Sequence, residues 1–155
     1  MPLLRFLRRL FRAATARPVL EGFNRIGRGT RFDGSLGLCS HVGDGCRLRA
    51  HVGRFSSLGH GVESVGETPV SIGNDCWVGN NVTFRGGPLT VHDGAAILAG
   101  AVVDGDVPPY AIVAGSPACV IGHRYDPATV ATLLDVAWWD NTSAYYATTK
   151  GKNNR

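Results

Sequence analysis

The chain has 155 residues, of which 44% are hydrophobic, so it is long enough for one domain with a hydrophobic core. No apolar run approaches the roughly 18–20 residues that a membrane span requires. The formal net charge of +4 arises at the two ends, because residues 1–20 contain five arginines and no acid and residues 150–155 contain three more basic residues. The central part is mildly acidic, which argues against a nucleic-acid-binding face.

We predict an amphipathic helix over residues 3–17, ended by Pro18. Its arginines form the polar side, and its apolar stripe consists of Leu3, Leu7, Leu10 and Ala14. Two interpretations stay open. The helix could cap the open end of the fold that follows, or it could lie on an anionic membrane surface, which would place the protein at the inner face of the membrane.

Beyond this segment, apolar residues recur every six residues, and glycine often follows them. The repeat positions are Ile26, Phe32, Val42, Leu48, Val52, Leu58, Ile72, Val78, Phe84, Val91, Ile97 and Val103. This period fits neither a helix nor a simple strand, and it is typical of a parallel β-helix. Each repeat supplies a short strand and a turn, and successive coils bury one apolar column. Three repeats to a coil predict about four coils.

The longest interruption of the repeat lies between Leu58 and Ile72, where VESVGETPV is predicted to leave the wall as a loop. Loops that leave a solenoid are common places for function. His60 stands immediately before this loop and at a turn, so we predict it as the catalytic histidine. His41 and His51 are weaker candidates, and the spacing of the three predicts no metal site.

The four cysteines form no C-x-x-C pair. Cys46 and Cys76 each fall four residues after an apolar repeat position, where a small residue is needed, so we predict that they are buried fillers. Unpaired thiols and the lack of a recognisable signal peptide are typical of a cytoplasmic protein.

The C-terminal third departs from the repeat. Three prolines at positions 108, 109 and 117 exclude a helix there. The segment DPATVATLLDVAWWDN predicts a helix with Asp126 as N-cap and Pro127 in its first turn. Trp138 and Trp139 are predicted to be structural, packing against the β-helix or against the next subunit. The chain therefore divides into an N-terminal helix (1–20), a six-residue-repeat β-helix (21–122) and a C-terminal helix with a basic tail (123–155).

Three segments, IGNDCWVG, DVPPYAIVAGSPACVI and RYDPATVATLLDVAWWD, resemble the left-handed parallel β-helix acyltransferases, which carry hexapeptide repeats. They are most similar to the xenobiotic, or CatB-related, O-acetyltransferase branch, and the resemblance covers roughly residues 26–140. It implies an all-β, left-handed parallel β-helix that assembles as a homotrimer. It also implies that acetyl-CoA binds in the groove between neighbouring β-helices and that a histidine is the general base.

The resemblance places the catalytic histidine on a long loop before IGND, but here that loop has about nine residues and no histidine. We therefore assign the base to His60 by its position and not by the family's motif. Trp77 is predicted to line the pocket, with packing between subunits as the alternative.

The segment Ala114-Gly115-Ser116-Pro117 resembles the part of the family that contacts the coenzyme. Relatives often have a phosphate-binding cation shortly afterwards, where this chain has Cys119. Arg124 is predicted to replace that cation, with a solvated charge beside the helix as the alternative. The predicted coenzyme-binding residues are thus Trp77, Ala114, Gly115, Pro117 and Arg124.

Together these features predict an acetyl-CoA-dependent O-acetyltransferase that acts on a hydroxyl of a sugar or cell-surface glycan precursor. The short loop favours an open site for an extended saccharide of polysaccharide biosynthesis. The alternative is a non-catalytic scaffold or assembly protein built on the same fold, because the loop histidine is missing.

Overall fold

The structure, a computed structural model, describes residues 18–141. This range contains short strands followed by one α-helix and one 3-10 helix. The elements are β1 (Val19–Leu20), β2 (Arg25–Ile26), β3 (Arg31–Leu36), β4 (His41–Val42), β5 (Arg47–Val52), β6 (Ser57–Leu58), β7 (Glu63–Val65), β8 (Val70–Ile72), β9 (Trp77–Val78), β10 (Thr83–Arg85), β11 (Thr90–Val91), β12 (Ala96–Ile97), β13 (Val102–Val103), β14 (Ala111–Gly115), β15 (Ala118–His123), α1 (Pro127–Val136) and the 3-10 helix (Trp138–Asp140).

The strands stack in parallel into the three faces of a solenoid. Face one contains β1, the second halves of β3 and β5, β8 and β11. Face two contains β2, β4, β6, β9, β12 and β14, with β15 added as an antiparallel partner of β14. Face three contains the first halves of β3 and β5, β7, β10 and β13. The parallel β-solenoid predicted from the six-residue period is confirmed.

The predicted count of about four coils is too low. Face two alone has six parallel strands, so the chain makes about six coils, the last of them incomplete. The strand positions advance by only 16 residues in the first coils, as in the pairing of Arg25 with His41. Phe32 and Leu36 are four residues apart, and both are buried, because β3 bends directly around the corner between faces three and one. A prediction based on a spacing of six residues therefore misses Leu36 at this corner.

The predicted long loop is also shorter than expected. β7 (Glu63–Val65) continues the wall, so only residues 66–69 leave the strands before β8. Ser64 is the residue of β7 that pairs with Phe84, which is an inward position. Because this inward position is occupied by a serine, a prediction based on apolar residues misses the repeat here. Its hydroxyl accepts a hydrogen bond from the backbone N–H of Arg49 at 2.9 Å.

Most of the N-terminal segment, including the predicted helix over residues 3–17, lies outside the described residues. Val19 and Leu20, which the sequence division assigned to that segment, instead form β1 and pair with β3. Leu20 stands six residues before Ile26, so it is in register with the repeat. No helix in the part of the chain that the structure describes is long and apolar enough to cross a membrane.

The corners at which one face of a coil meets the next are filled by small residues, as predicted for two cysteines. Cys46 is fully buried and Cys76 is 2% exposed. Their thiols donate to the carbonyl oxygens of Gly59 at 3.2 Å and of His92 at 3.3 Å. Burial raises the pKa of the Cys76 thiol to about 12. Both thiols are therefore buried fillers, as predicted.

The predicted C-terminal helix is present but shorter than its sequence suggests. Asp126 caps it by accepting a hydrogen bond from the backbone N–H of Thr129 at 3.0 Å. Ala137 adopts a left-handed backbone with φ of 42°, which ends α1 at Val136. Trp138 and Trp139 consequently fall in the 3-10 helix.

The segment from residue 124 to residue 140, here called the C-terminal strap, packs along the corner between faces one and two. Trp139 is 4% exposed, and the ring of Trp138 lies 4.9 Å from that of Phe55, centroid to centroid. Arg54 links the strap to the first coil, since its guanidinium pairs with both Asp140 and Glu21. The two tryptophans are structural, as predicted, and of the two predicted packing partners the structure shows the β-helix.

Candidate functional site

The outward side chains of face two form one column that changes character along the solenoid. Because parallel strands are in register, equivalent residues of successive coils stack at about 4.8 Å. The column runs from a cation through an imidazole, a hydroxyl and an indole to small and aliphatic side chains: Arg25, His41, Ser57, Trp77, Ala96 and Ile112. Its first half is polar and its second half is apolar, which suits a ligand with an apolar arm and a polar end.

The polar half of the column borders a groove of about 360 Å³. The groove covers the first strands of face two and the corner between faces two and three. Its polar lining consists of Arg25, His41, Asp44, Ser57, His60 and Asn80. Two imidazoles, a hydroxyl and a guanidinium therefore share one open groove.

His60 lies in the turn that follows β6, where the backbone holds its ring. Its Nδ1 accepts a hydrogen bond from the backbone N–H of Asp44 at 2.9 Å, and its own backbone N–H donates to Asn80 Oδ1 at 2.9 Å. A backbone N–H can only donate, so the neutral ring carries its proton on Nε2. The Asp44 carboxylate is 3.9 Å from Nδ1, beyond a hydrogen bond. His60 therefore offers a ligand a donor at Nε2.

His41 is the other imidazole of the groove. Its Nε2 lies 2.7 Å from the Ser57 hydroxyl oxygen. A hydroxyl can donate or accept, so the lone pair of Nε2 is available in the tautomer that is protonated on Nδ1. His51, the third candidate, lies on face one with its Nδ1 3.0 Å from Ser35 Oγ, and it does not border the groove.

Trp77 is 47% exposed and stands between Ser57 and Ala96 in the column, at the boundary of the polar and apolar halves. Ala114 and Gly115 end β14, on the last coil of the same face. Gly115 has a φ of 97°, a conformation that side chains disfavour, and Pro117 follows in the turn of the hairpin formed by β14 and β15. Trp77 and this hairpin thus lie on face two, and His60 lies at the corner where face two meets face three.

Arg124 is held elsewhere, at the corner under the C-terminal strap. Its Nη1 donates to the carbonyl oxygen of Gly94 at 2.8 Å, and to the carbonyl oxygen and Oδ2 of Asp75 at 3.0 and 3.3 Å. Its guanidinium lies over the rings of Tyr110 and Tyr125. Burial raises the pKa of Asp75, although the charge of Arg124 opposes this shift. The structure does not bring Arg124 to the hairpin tip, and its role in coenzyme binding stays a prediction.

Arg25 and Ser57 were not singled out by the sequence reading. The signal that could have found them is the 16-residue spacing from Arg25 to His41 and from His41 to Ser57, which appears only when the coil length is known. Across residues 18–141, no three histidine, cysteine or acidic side chains converge as a metal site would require.

Comparison with known proteins shows what this chain is similar to. It is 43% identical over 88 residues to a chloramphenicol acetyltransferase of Agrobacterium fabrum, an overlap that spans 57% of this chain and 41% of the relative. It is 42% identical over 58 residues to the galactoside O-acetyltransferase of Escherichia coli K12, spanning 37% and 28% of the two chains. The chain thus covers less than half the length of these curated relatives, and no protein-family model matches it.

Solved structures support the fold. A maltose O-acetyltransferase from Clostridium difficile 630 superposes with a TM-score of 0.62 at 21% identity, over 70% of each chain. A galactoside acetyltransferase in complex with coenzyme A superposes with a TM-score of 0.55 at 21% identity, over 74% of this chain and 68% of that one. In sequence the chain is similar to chloramphenicol and galactoside acetyltransferases, and in fold it is similar to maltose and galactoside acetyltransferases. The resemblance given by IGNDCWVG and the C-terminal segments is confirmed.

Proposed function

We propose that this protein is an acetyl-CoA-dependent O-acetyltransferase whose acceptor is a hydroxyl of a sugar or glycan precursor. The observation that carries the proposal is the column on face two, in which an apolar strip leads to a polar groove with two imidazoles. The relatives named above are acetyltransferases of chloramphenicol and of galactosides, which are hydroxyl-bearing acceptors. A surface used only for packing would not need this polar groove.

In this proposal acetyl-CoA lies along face two. The coenzyme contacts the hairpin at Ala114, Gly115 and Pro117, and its pantetheine arm follows the apolar strip over Ile112 and Ala96 to Trp77. From β14 to β6 there are three strand spacings, or about 14 Å. An extended arm of this length brings the thioester to the level of His60, and the acceptor hydroxyl occupies the groove beyond it.

The reaction needs a proton acceptor for the attacking hydroxyl and donors for the oxyanion. The hydroxyl oxygen attacks the thioester carbonyl, its proton passes to an imidazole, and the coenzyme leaves as a thiol after taking that proton back. We place His60 at this centre. As a base it must give up its hydrogen bond to the Asp44 N–H, whereas in its resting tautomer its Nε2–H suits the carbonyl oxygen. His41 is the competing base in the same groove.

We further propose a homotrimer, with face two of one subunit lying beside a neighbouring β-helix to complete the coenzyme groove. The exposed indole of Trp77 and the half-buried Ala96 and Ile112 supply apolar surface for such a neighbour. Light scattering at micromolar concentration should give the mass of three chains. A monomer mass would remove the second wall of the proposed groove.

A non-catalytic scaffold is the second candidate. The observation that favours it is the short loop over residues 66–69, which contains no histidine, together with the resting tautomer of His60. Release of free thiol from acetyl-CoA separates the two candidates. The proposed enzyme should release thiol at a rate that rises with sugar concentration and saturates. A rate equal to that of buffer for every sugar tried, neutral or charged, would favour the scaffold.

A further inference from the structure

The arginines of the described chain fall into two groups. Those in the first group have carboxylate partners. The pairs are Arg49 with Asp33, Arg54 with Glu21 and Asp140, Arg85 with Asp104, and Arg124 with Asp75. Those in the second group are exposed and form no ion pair within residues 18–141: they are Arg25, Arg28, Arg31 and Arg47. The unpaired arginines all lie in the first two coils, so positive charge is concentrated at one end of the described solenoid, where Asp44 and Glu63 offset only part of it.

Two of the unpaired arginines adjoin the groove. Arg25 lines it and pairs in register with His41 on the next strand. Arg28 lies three residues later, at the corner, where its backbone N–H donates to Asp44 Oδ1 at 2.7 Å. The Asp44 carboxylate is thus used by the backbone of the turn and forms no ion pair with either guanidinium. The Arg25 guanidinium therefore remains available to an anion beside the two imidazoles, and Arg28 follows Gly27, which lines the groove.

We propose that the groove binds an acceptor that carries an anionic group, phosphate or carboxylate, close to its reacting hydroxyl, and that Arg25 and Arg28 bind this group. A guanidinium can form paired hydrogen bonds to either anion, which fixes orientation as well as charge. With the anion held at β2, the hydroxyl of a sugar would lie near His41 on β4 and near His60 in the turn after β6. This inference rests on the proposed function and adds the chemical class of the acceptor.

The position of Arg25 separates it from the proposed coenzyme site. The order of strands on face two places β2 and β14 at opposite ends, five spacings or about 24 Å apart. The apolar strip formed by Trp77, Ala96 and Ile112 lies between them. A coenzyme anchored at the hairpin therefore reaches the groove with its thioester end, and the arginines at β2 face the acceptor.

The register of face three supports a functional reason for the charge. Arg31 and Arg47 occupy directly paired positions on neighbouring strands, with Cα atoms in register. Like charges at such positions repel each other and lower stability. Arg47 is also in register with Glu63 of β7, whose carboxylate offsets part of its charge, whereas Arg31 has no acidic residue in register, so an anion near this edge would relieve the repulsion at Arg31.

Binding without acetyl-CoA tests the inference directly. The full chain is titrated with glucose 1-phosphate, glucuronic acid and glucose in a calorimeter. Whichever of the two charged sugars binds more tightly should have an affinity at least tenfold higher than that of glucose. The two charged probes show whether phosphate or carboxylate is preferred. Arg25→Gln should weaken binding of that sugar about tenfold, or 1.4 kcal/mol. Arg31→Gln, an equally exposed and unpaired arginine that does not line the groove, is the matched control and should change it less than twofold.

Three outcomes would overturn the inference: equal affinity for glucose and both charged sugars, equal losses in Arg25→Gln and Arg31→Gln, or displacement of the charged sugar by coenzyme A together with weaker coenzyme binding in Arg25→Gln. Thiol release keeps the two proposals distinguishable. Acetyl transfer with no preference for charged sugars would overturn the inference and support the proposed function. Charge-dependent binding that involves Arg25 without any transfer would support the inference and remove the proposed function.

Discussion

Two arginine-bearing regions of this molecule use their charges in opposite ways. Under the C-terminal strap, Arg124 and Arg54 are both engaged by carboxylates and backbone carbonyls of the protein itself. At the groove on face two, Arg25 and Arg28 form no ion pair within the described residues, and Arg25 lies beside His41, which contacts the Ser57 hydroxyl. Arginines that pair with carboxylates of the protein stabilise the fold, whereas arginines without such a partner that lie beside titratable side chains indicate a ligand-binding site.

The difference predicts that changes in the strap will alter stability and that changes in the groove will alter activity. The strap crosses several coils, from Gly94 and Asp75 to the first coil at Glu21. The charged and imidazole side chains of the groove are exposed and contribute little buried area. Four variants and one spectrum test this division.

Trp139→Ala should have the largest effect, on stability. Trp139 is 4% exposed, and truncation of a buried aromatic side chain costs about 3 kcal/mol or more. The free energy of unfolding, measured in urea, should fall by that amount, while thiol release per folded molecule should stay close to wild type. Trp138→Ala is the control, because this residue is 37% exposed and should cost less. A Trp139→Ala protein of unchanged stability would show that the strap does not stabilise the corner.

His60→Ala should lower turnover about 100-fold, the size expected for loss of a positioned acid–base group. The unfolding free energy should change by less than about 0.5 kcal/mol, as for an exposed residue. Turnover and stability are measured on the same preparation. His51→Ala, on face one, is the matched control and should be active. If His41→Ala reduces turnover and His60→Ala does not, the base is His41.

Ala114→Leu should weaken coenzyme A binding at least tenfold, or about 1.4 kcal/mol, by filling the proposed path of the pantetheine arm. Ala114 is preferable to Gly115 for this test, because the φ of 97° at Gly115 would strain any side chain whether or not a ligand binds there. Calorimetry gives the affinity, and thermal unfolding of the ligand-free variant shows whether its fold is intact. Unchanged affinity would place the coenzyme away from the hairpin.

Arg54→Gln should have the smallest effect, a loss of less than about 1 kcal/mol, because Glu21 and Arg54 are partly exposed and screened. The hydrogen bond from Arg54 lowers the pKa of Glu21 below its ordinary 4.5. A carboxyl with a lowered folded-state pKa stabilises the fold above 4.5, and this contribution is lost as the pH falls through the lowered value. Urea unfolding at several pH values should therefore show a variant that differs from wild type at pH 7 and converges with it in acid. A constant difference across that range would contradict this account.

The repeat could be predicted from the sequence because its apolar residues, such as Val78 and Ile97, report inward positions directly. The coil count could not, because Ser64 hides one inward position and the step from Phe32 to Leu36 is four residues. At both places the strands keep their pairing with the neighbouring coils, although apolar residues do not recur there at a spacing of six. A six-residue period therefore predicts the class of fold and not the number of turns.

The candidate site divides in the same way. His60 and Trp77 could be selected from turn position and motif, but the neighbourhood of Arg25, His41 and Ser57 depends on contacts between strands 16 residues apart. The three hydrogen bonds of Arg124 depend on how the strap returns across the corner, which no local pattern encodes. The surface shared by these residues, which are far apart in sequence, could be recognised only once the register of the coils was known.

The central claim, that the ligand-binding surface is face two, is tested most directly by the indole N–H signals of the three tryptophans. A nitrogen–proton correlation spectrum, assigned with Trp→Phe variants, would follow them during titration with coenzyme A. The account predicts that the signal of Trp77 shifts in proportion to saturation, and that those of Trp138 and Trp139 under the strap stay in place. Shifts confined to Trp138 or Trp139, or no shift of Trp77 at saturating coenzyme A, would contradict it.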